Sequence, residues 1–205
     1  MKRLIIALTM LPGAAMADGR QCAAIKSDTD RLACYDQALG HTPTRTDSPS
    51  QNWTIESTKS DFTDQTDVYV STAAITPITC GRSEPPRLFV RCLEGETTAF
   101  FSHGCYAPAT NRDTGTLAID LRRDMEKSSQ QISRVSTDAK AFGWWETGKA
   151  RAFVRNNLLD HDTIVVRFEP YRTVPQIMRF DISGLRKAIS TTKSSCNWSE
   201  MFQAD

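Results

Sequence analysis

The chain has 205 residues, 40% hydrophobic and 8% aromatic, enough for one domain with a buried core plus flanking segments. Lys and Arg number 25 against 24 Asp and Glu, so the formal net charge of +1 lacks the basic excess of a nucleic-acid binder. Six cysteines beside three histidines point to an oxidising compartment.

The first residues have the pattern of an export signal. Lys2 and Arg3 precede the apolar stretch Leu4–Leu11, Pro12 and Gly13 break it, and Ala15-Met16-Ala17 fits the small-x-small cleavage rule. Residues 1–17 are therefore expected to be removed by cleavage after Ala17. The apolar stretch is far shorter than the about 20 residues a bilayer core demands, and no later stretch is longer. Cys22 follows Gly19-Arg20-Gln21, which is not a lipobox. These features predict a periplasmic or secreted protein with no membrane span. The sequons at Asn52 and Asn197 matter only in a glycosylating host.

Residues 18–40 read as a small helical module. Ser27 has the chemistry of an N-cap, Asp30 lies three residues on, Leu32, Tyr35 and Leu39 recur at helical spacing, and Gly40 is a natural stop. Cys22 and Cys34 flank the turn at Ser27, and a disulfide between them would staple a module too small to hold itself together. Residues 41–52, polar and punctuated by Pro43 and Pro49, read as a linker.

The main domain is expected over 53–198, opened by Trp53 and closed by Trp198, with 199–205 as a tail. Alternation and β-branching predict strands at Val68–Thr72, Arg87–Leu93, Thr97–His103, Thr116–Arg122, Thr163–Phe168 and Met178–Ile182. Glu94-Gly95-Glu96 joins the second and third as a hairpin. Lys149–Leu159 has helical spacing, and Ser183 is expected to cap a last helix over Gly184–Ser190. Short connections favour antiparallel pairing. The expected fold is α+β and β-rich: an antiparallel β-sandwich or half-barrel with one or two packed helices, preceded by the disulfide-stapled helical module.

Little in this pattern carries chemistry. His41, His103 and His161 belong to no metal or catalytic motif and read as solvated loop histidines. Asp61, Asp64 and Asp67 recur every three residues, but without calcium-loop spacing they read as turn aspartates. There is no nucleophile elbow, phosphate loop, dinucleotide fingerprint or Cys-x-x-Cys pair. No cofactor or metal is expected. One polar set stands out: Arg122 and Asp124 at a strand end, Thr137 and Asp138 after it, and Arg167 on an otherwise apolar strand. Such charges either pair internally or form a binding face.

Several strings then align in one order: Trp53; Asp67-Val68-Tyr69-Val70-Ser71; Pro86-Arg87-Leu88-Phe89-Val90-Arg91-Cys92; Arg122-Arg123-Asp124; Ser136-Thr137-Asp138; Val165-Val166-Arg167; Phe180-Asp181-Ile182-Ser183-Gly184-Leu185; and Cys196-Asn197-Trp198. Together with Cys22 and Asp30-Arg31-Leu32-Ala33-Cys34-Tyr35-Asp36, this set resembles the VasI/TagO family of type VI secretion-associated proteins over residues 22–198. Asn197 stands where members often carry Gly, and Cys80 and Cys105 are additions to the usual pattern. The resemblance implies a non-catalytic accessory protein, without established catalytic residues, whose partner is a protein of the secretion apparatus or the cell wall. A cell-wall hydrolase or hydrolase inhibitor is the alternative. Cys92 and Cys196 both lie in the family strings, and the hairpin turn holds Cys92 far from Cys105 along the third strand. The expected disulfides are therefore Cys22–Cys34, Cys80–Cys105 and Cys92–Cys196, against the rival set Cys80–Cys92 with Cys105–Cys196.

Overall fold

The computed structural model describes residues 19–25, 31, 34, 35, 38, 52–81, 84–192 and 195–202. The chain divides into two units, Met1–Asp47 and Ser48–Asp205.

In the first unit, Gly19–Ala24 form a 3-10 turn, and Arg31, Cys34, Tyr35 and Ala38 are helical. The Cys22–Cys34 disulfide, with Cα atoms 5.5 Å apart, joins the two segments. The Arg31 guanidinium donates to the Ile25 carbonyl at 3.1 Å. The signal at 1–17, the Ser27 cap with Asp30, Leu32, Leu39, Gly40 and the linker through residue 51 lie outside the described residues.

The second unit is built on nine antiparallel strands: β1 Thr54–Lys59, β2 Thr66–Ala73, β3 Arg87–Leu93, β4 Glu96–Ser102, β5 Thr116–Arg123, β6 Ser129–Val135, β7 Ala141–Trp144, β8 Thr163–Phe168 and β9 Gln176–Asp181. They form one sheet in the order β1-β2-β3-β4-β7-β6-β5-β8-β9. Period-two alternation assigns the faces. Leu88, Val90 and Cys92 of β3, Leu117, Ile119 and Leu121 of β5, and Ile164, Val166 and Phe168 of β8 all point into the core.

This single sheet curls until its halves face each other. Phe101 of β4 meets Phe180 of β9 with ring centroids 5.5 Å apart, and Phe142 of β7 meets Phe168 of β8 at 5.2 Å. At the seam, the Ile75 N–H donates to the Arg179 carbonyl at 2.8 Å and the Arg179 N–H donates to the Thr76 hydroxyl at 3.0 Å. The result is a curled half-barrel rather than two separate stacked sheets. Helix α1, Thr147–Asn157, packs Ala150, Phe153 and Val154 into the core, and the short α2, Leu185–Ser190, adds Leu185, Ala188 and Ile189. A 3-10 segment over Ser195–Phe202 buries Trp198 and Met201, so the core continues past Trp198.

The hairpin between β3 and β4 turns on Glu94 and Gly95 alone. Both have positive φ, the two-residue loop whose twist matches paired strands, and β4 starts at Glu96 rather than Thr97. Strands β1, β6 and β7 were not expected from the sequence. Every residue of β1 is exposed, and β6 is mostly exposed, so neither alternates in hydrophobicity. Ser183 is not the cap of α2. Gly184, in the left-handed region at φ 75°, precedes that helix, while the Ser183 hydroxyl and N–H both donate to the Asp181 carboxylate. Disulfides join Cys80 to Cys105 and Cys92 to Cys196, with Cα separations of 5.4 and 5.7 Å.

Candidate functional site

The sheet opens at the junction of β6 and β7. These strands pair only through Arg134↔Gly143 and Val135↔Phe142. Gly143 explains why β7 stays with β4 instead. A Cβ at this position would lie 2.5 Å from the Phe100 Cα and still closer to the Ala99 carbonyl, so only glycine permits the approach. Beyond it the two tryptophans splay. Trp144 stacks on Phe153 of α1 with centroids 3.5 Å apart. Trp145 stacks on Phe100 at 5.0 Å, and its indole N–H donates to the Arg134 carbonyl at 3.0 Å. The chain then turns into α1 and leaves the rest of β6 behind.

A cleft of about 710 Å³ occupies the gap. One wall is β6, through Gln131, Ile132 and Arg134; the opposite wall is α1, through Lys149, Ala152, Phe153 and Asn156; Gly143, Trp144 and Trp145 lie between them, with Asp113 and Thr114 nearby. Its charges are balanced within the cleft. The Glu146 carboxylate lies 2.9 Å from the Lys149 ammonium and 4.0 Å from the Arg134 guanidinium. Ile132 is 58% exposed on the β6 wall. A concavity that sets aromatic side chains beside polar and charged groups can serve as a recognition site.

The five residues singled out in the sequence fall in two places. Arg122, Asp124 and Arg167 belong to the β5–β8 region. Thr137 and Asp138 lie in the turn after β6, roughly 20 Å away by the rise of that strand. Asp124 has φ 42° and ties the turn before β8: its carboxylate accepts from the Asp162 N–H at 3.0 Å and the Thr163 N–H at 2.8 Å, and lies 2.8 Å from His161 Nδ1. Burial pushes this carboxyl up, but the bonds from Thr163, His161 and Asp162 outweigh it and hold it below the ordinary aspartate value. The Asp138 carboxylate accepts from the Ser136 hydroxyl at 2.7 Å and the Lys140 N–H at 3.1 Å, which lowers it likewise. Arg167 Nε donates to Asp120 at 2.9 Å across the β5–β8 pair. Arg122 is exposed on the same outer surface, its guanidinium 3.8 Å from the Met125 sulfur.

Two expectations about single residues need correcting. His103 is not a solvated loop histidine: it is 3% exposed, with its ring 4.5 Å from that of Phe168 and 5.0 Å from that of Phe142. Neither ring nitrogen has a hydrogen-bond partner among the described residues, and burial lowers its pKa to about 4, against a smaller opposing pull from Asp138. His161 is held by Asp124 rather than left to solvent. Asp64 and Asp67 do serve turns. Asp64, at φ 57°, pairs with Lys59 at 2.6 Å, and Asp67 accepts the Glu94 N–H at 2.8 Å.

The sequence reading missed the cleft. The signal that points to it is the adjacent pair Trp144-Trp145, half of the four tryptophans in the chain, directly after a glycine and before a helix.

No curated protein and no solved structure matches the chain. The family model described as type VI secretion system VasI, EvfG matches residues 21–198, which takes in both halves of the curled sheet, the cleft and all three disulfides. That family is associated with the secretion system rather than with a known enzymatic activity. The chain belongs to the type VI secretion system VasI, EvfG family.

Proposed function

We propose that this chain is a non-catalytic periplasmic accessory protein of type VI secretion that binds a protein of the apparatus in the cleft between β6 and α1. Membership of the family supplies the process. The export pattern of residues 1–17 and the three disulfides support the compartment, and no helix among the described residues is long and apolar enough to cross a membrane. The observation that carries the binding role is the cleft itself, where Trp144, Trp145 and Phe153 surround a charge-balanced opening. Tryptophans in a concave site are the side chains that most often dominate protein recognition.

Arg122 and the Asp120–Arg167 pair lie on the outer surface that adjoins β6, since Asp120 is opposite Gln130 in the β5–β6 register. We assign them to the rim, where charge sets partner choice more than affinity. A hydrolytic role has less support. Asp124 and Asp138 are engaged with main-chain donors that help hold their carboxyls below the ordinary value, so neither has the raised pKa of a general acid, and the Asp120 carboxylate is paired with Arg167.

The test is site-specific photo-crosslinking in cells with an active secretion apparatus. A crosslinking residue at Ile132 should capture an apparatus protein, whereas one at exposed Ile75 on the seam should not. Trp145→Ala should lower that capture and secretion at least fivefold while leaving the folded protein at its normal level. Full secretion by a folded variant carrying both Trp145→Ala and Lys149→Glu would sink the proposal.

A further inference from the structure

We propose that the occupant of this cleft is an extended segment of the partner protein, added as a strand to the free edge of β6. This rests on the cleft being the binding site and goes further, by naming the form the partner takes.

Backbone direction is the basis. The Val135 N–H donates to Gly115, on the β5 side, and the Ser136 N–H donates to Ala141, on the β7 side. Successive residues of a strand alternate the direction of their N–H and C=O groups. The main-chain groups of Gln130, Ile132 and Arg134 therefore point away from β5. Arg134 meets Gly143, and the ladder stops there because the chain turns off at Trp145. Among the described residues no strand continues the ladder, so Gln130 and Ile132 present two N–H and two C=O groups along the free edge of β6, where Ile132 lines the cleft and Gln130 extends the edge beyond it. Their spacing repeats every two residues, about 7 Å, which matches an extended peptide. An incoming chain in line with β7 would run antiparallel to β6. Its inward side chains would face Phe153 and Trp144, and its outward ones would lie beside Ile132 and Trp145. The partner segment is thus extended, free of proline at the bonding positions, and apolar at alternate residues.

The treatment of the other edge supports this reading. β1, an outermost strand, carries Glu56 and Lys59, the kind of charge that discourages edge pairing. The open part of β6 carries Gln130, Gln131 and Ile132, with no charge at all.

The experiment uses the purified full chain and linear nine-residue peptides selected on it from a phage-displayed random library. Selected peptides should share two-residue alternation of apolar side chains. Methylating the peptide backbone nitrogen at every second position should weaken binding at least tenfold, with little effect at the positions between. Ile132→Pro should do the same. The Ile132 N–H takes no part in the β5 ladder, so proline removes only the edge donor and blocks the added strand. In the unmodified chain, bound peptide should slow exchange of the Gln130 and Ile132 amide hydrogens, a readout that holds whether or not the proline variant folds. Unchanged exchange at both amides, or equal affinity of a folded Ile132→Pro chain, overturns strand addition. If Trp145→Ala still weakens the peptide in that case, the cleft remains the site; if it does not, the cleft reading falls as well. Failure to select any peptide that Trp145→Ala weakens counts against strand addition. A dimer of the free chain that Ile132→Pro dissolves would overturn it in favour of a second copy.

Discussion

His103 and Asp124 show how a side chain acquires a role that its local sequence does not carry. His103 titrates near 4 in the folded chain against 6.5 for the exposed group, because its ring is enclosed by Phe142 and Phe168 without a hydrogen-bond partner among the described residues. Between those pH values the unfolded chain binds more protons, so folding stability is complete above about pH 6.5 and declines toward pH 4, by about 3 kcal/mol in all. Urea unfolding midpoints at pH 7 and pH 4.5 should show this loss. His103→Phe, which preserves an aromatic ring in the site, should remove most of it; an unchanged acid slope in that variant would refute the assignment. Asp124 acts in the same direction at lower pH, since its stabilising contribution is present above the ordinary aspartate value and fades as the carboxylate is protonated. Asp124→Ala leaves the Asp162 and Thr163 N–H groups without their acceptor and should cost about 1–3 kcal/mol, measurable as a lower Tm.

Among the elements, β7 governs the site. It is four residues long and joins β4 on one side while holding β6 by two pairs on the other. Gly143 makes that compromise possible. Gly143→Ala forces the new methyl against the Ala99 carbonyl and Phe100 backbone, and overpacking of this kind costs about 1–3 kcal/mol. The strain falls on the β4–β7 pair, so Trp145 should lose its stacking on Phe100. A lower Tm together with a red-shifted tryptophan emission would report both effects; a variant as stable as the parent would show that β4 and β7 are not close-packed there. Thr97 provides a second brace, its N–H donating to Thr147 at the start of α1 and its hydroxyl accepting from the Trp198 indole at 2.9 Å.

For the whole molecule, the covalent links set the ranking of stability. Cys92–Cys196 closes a separation of 104 residues and Cys80–Cys105 one of 25. In the chain-entropy account the first restrains the unfolded chain by about 5 kcal/mol and the second by about 3.5 kcal/mol. Replacing Cys92 and Cys196 together by Ala should therefore lower unfolding free energy more than the Cys80 and Cys105 double replacement, as read from denaturant curves under oxidising conditions. The reverse order would mean that the Ser195–Phe202 segment is held mainly by Trp198 and Met201 in the core. Either loss should leave the contacts between the two facing sheet halves in place, because Phe101 of β4 against Phe180 of β9 and Phe142 of β7 against Phe168 of β8 involve no cysteine.

The sequence by itself determined the strands that bury one face. Val68-Tyr69-Val70, Leu88-Phe89-Val90 and Ile164-Val165-Val166 are legible because burial on alternate residues imprints a period of two. The Glu94-Gly95 hairpin and α1 were legible for equally local reasons, and the ordered strings of residues 22–198 pointed to the secretion family. The tertiary structure alone decided which residues share a site. β6 carries polar residues on both faces, with Ser133 buried by a hydrogen bond to the Leu117 carbonyl, so no hydrophobic period announces it. The five polar residues chosen from the sequence lie at opposite ends of β6 because strand register, set by long-range pairing, separates neighbours in sequence and unites Asp120 with Arg167. The cleft exists for the same reason: two strands diverge after Gly143, and that divergence depends on how closely β4 approaches β7, a contact between residues some forty positions apart.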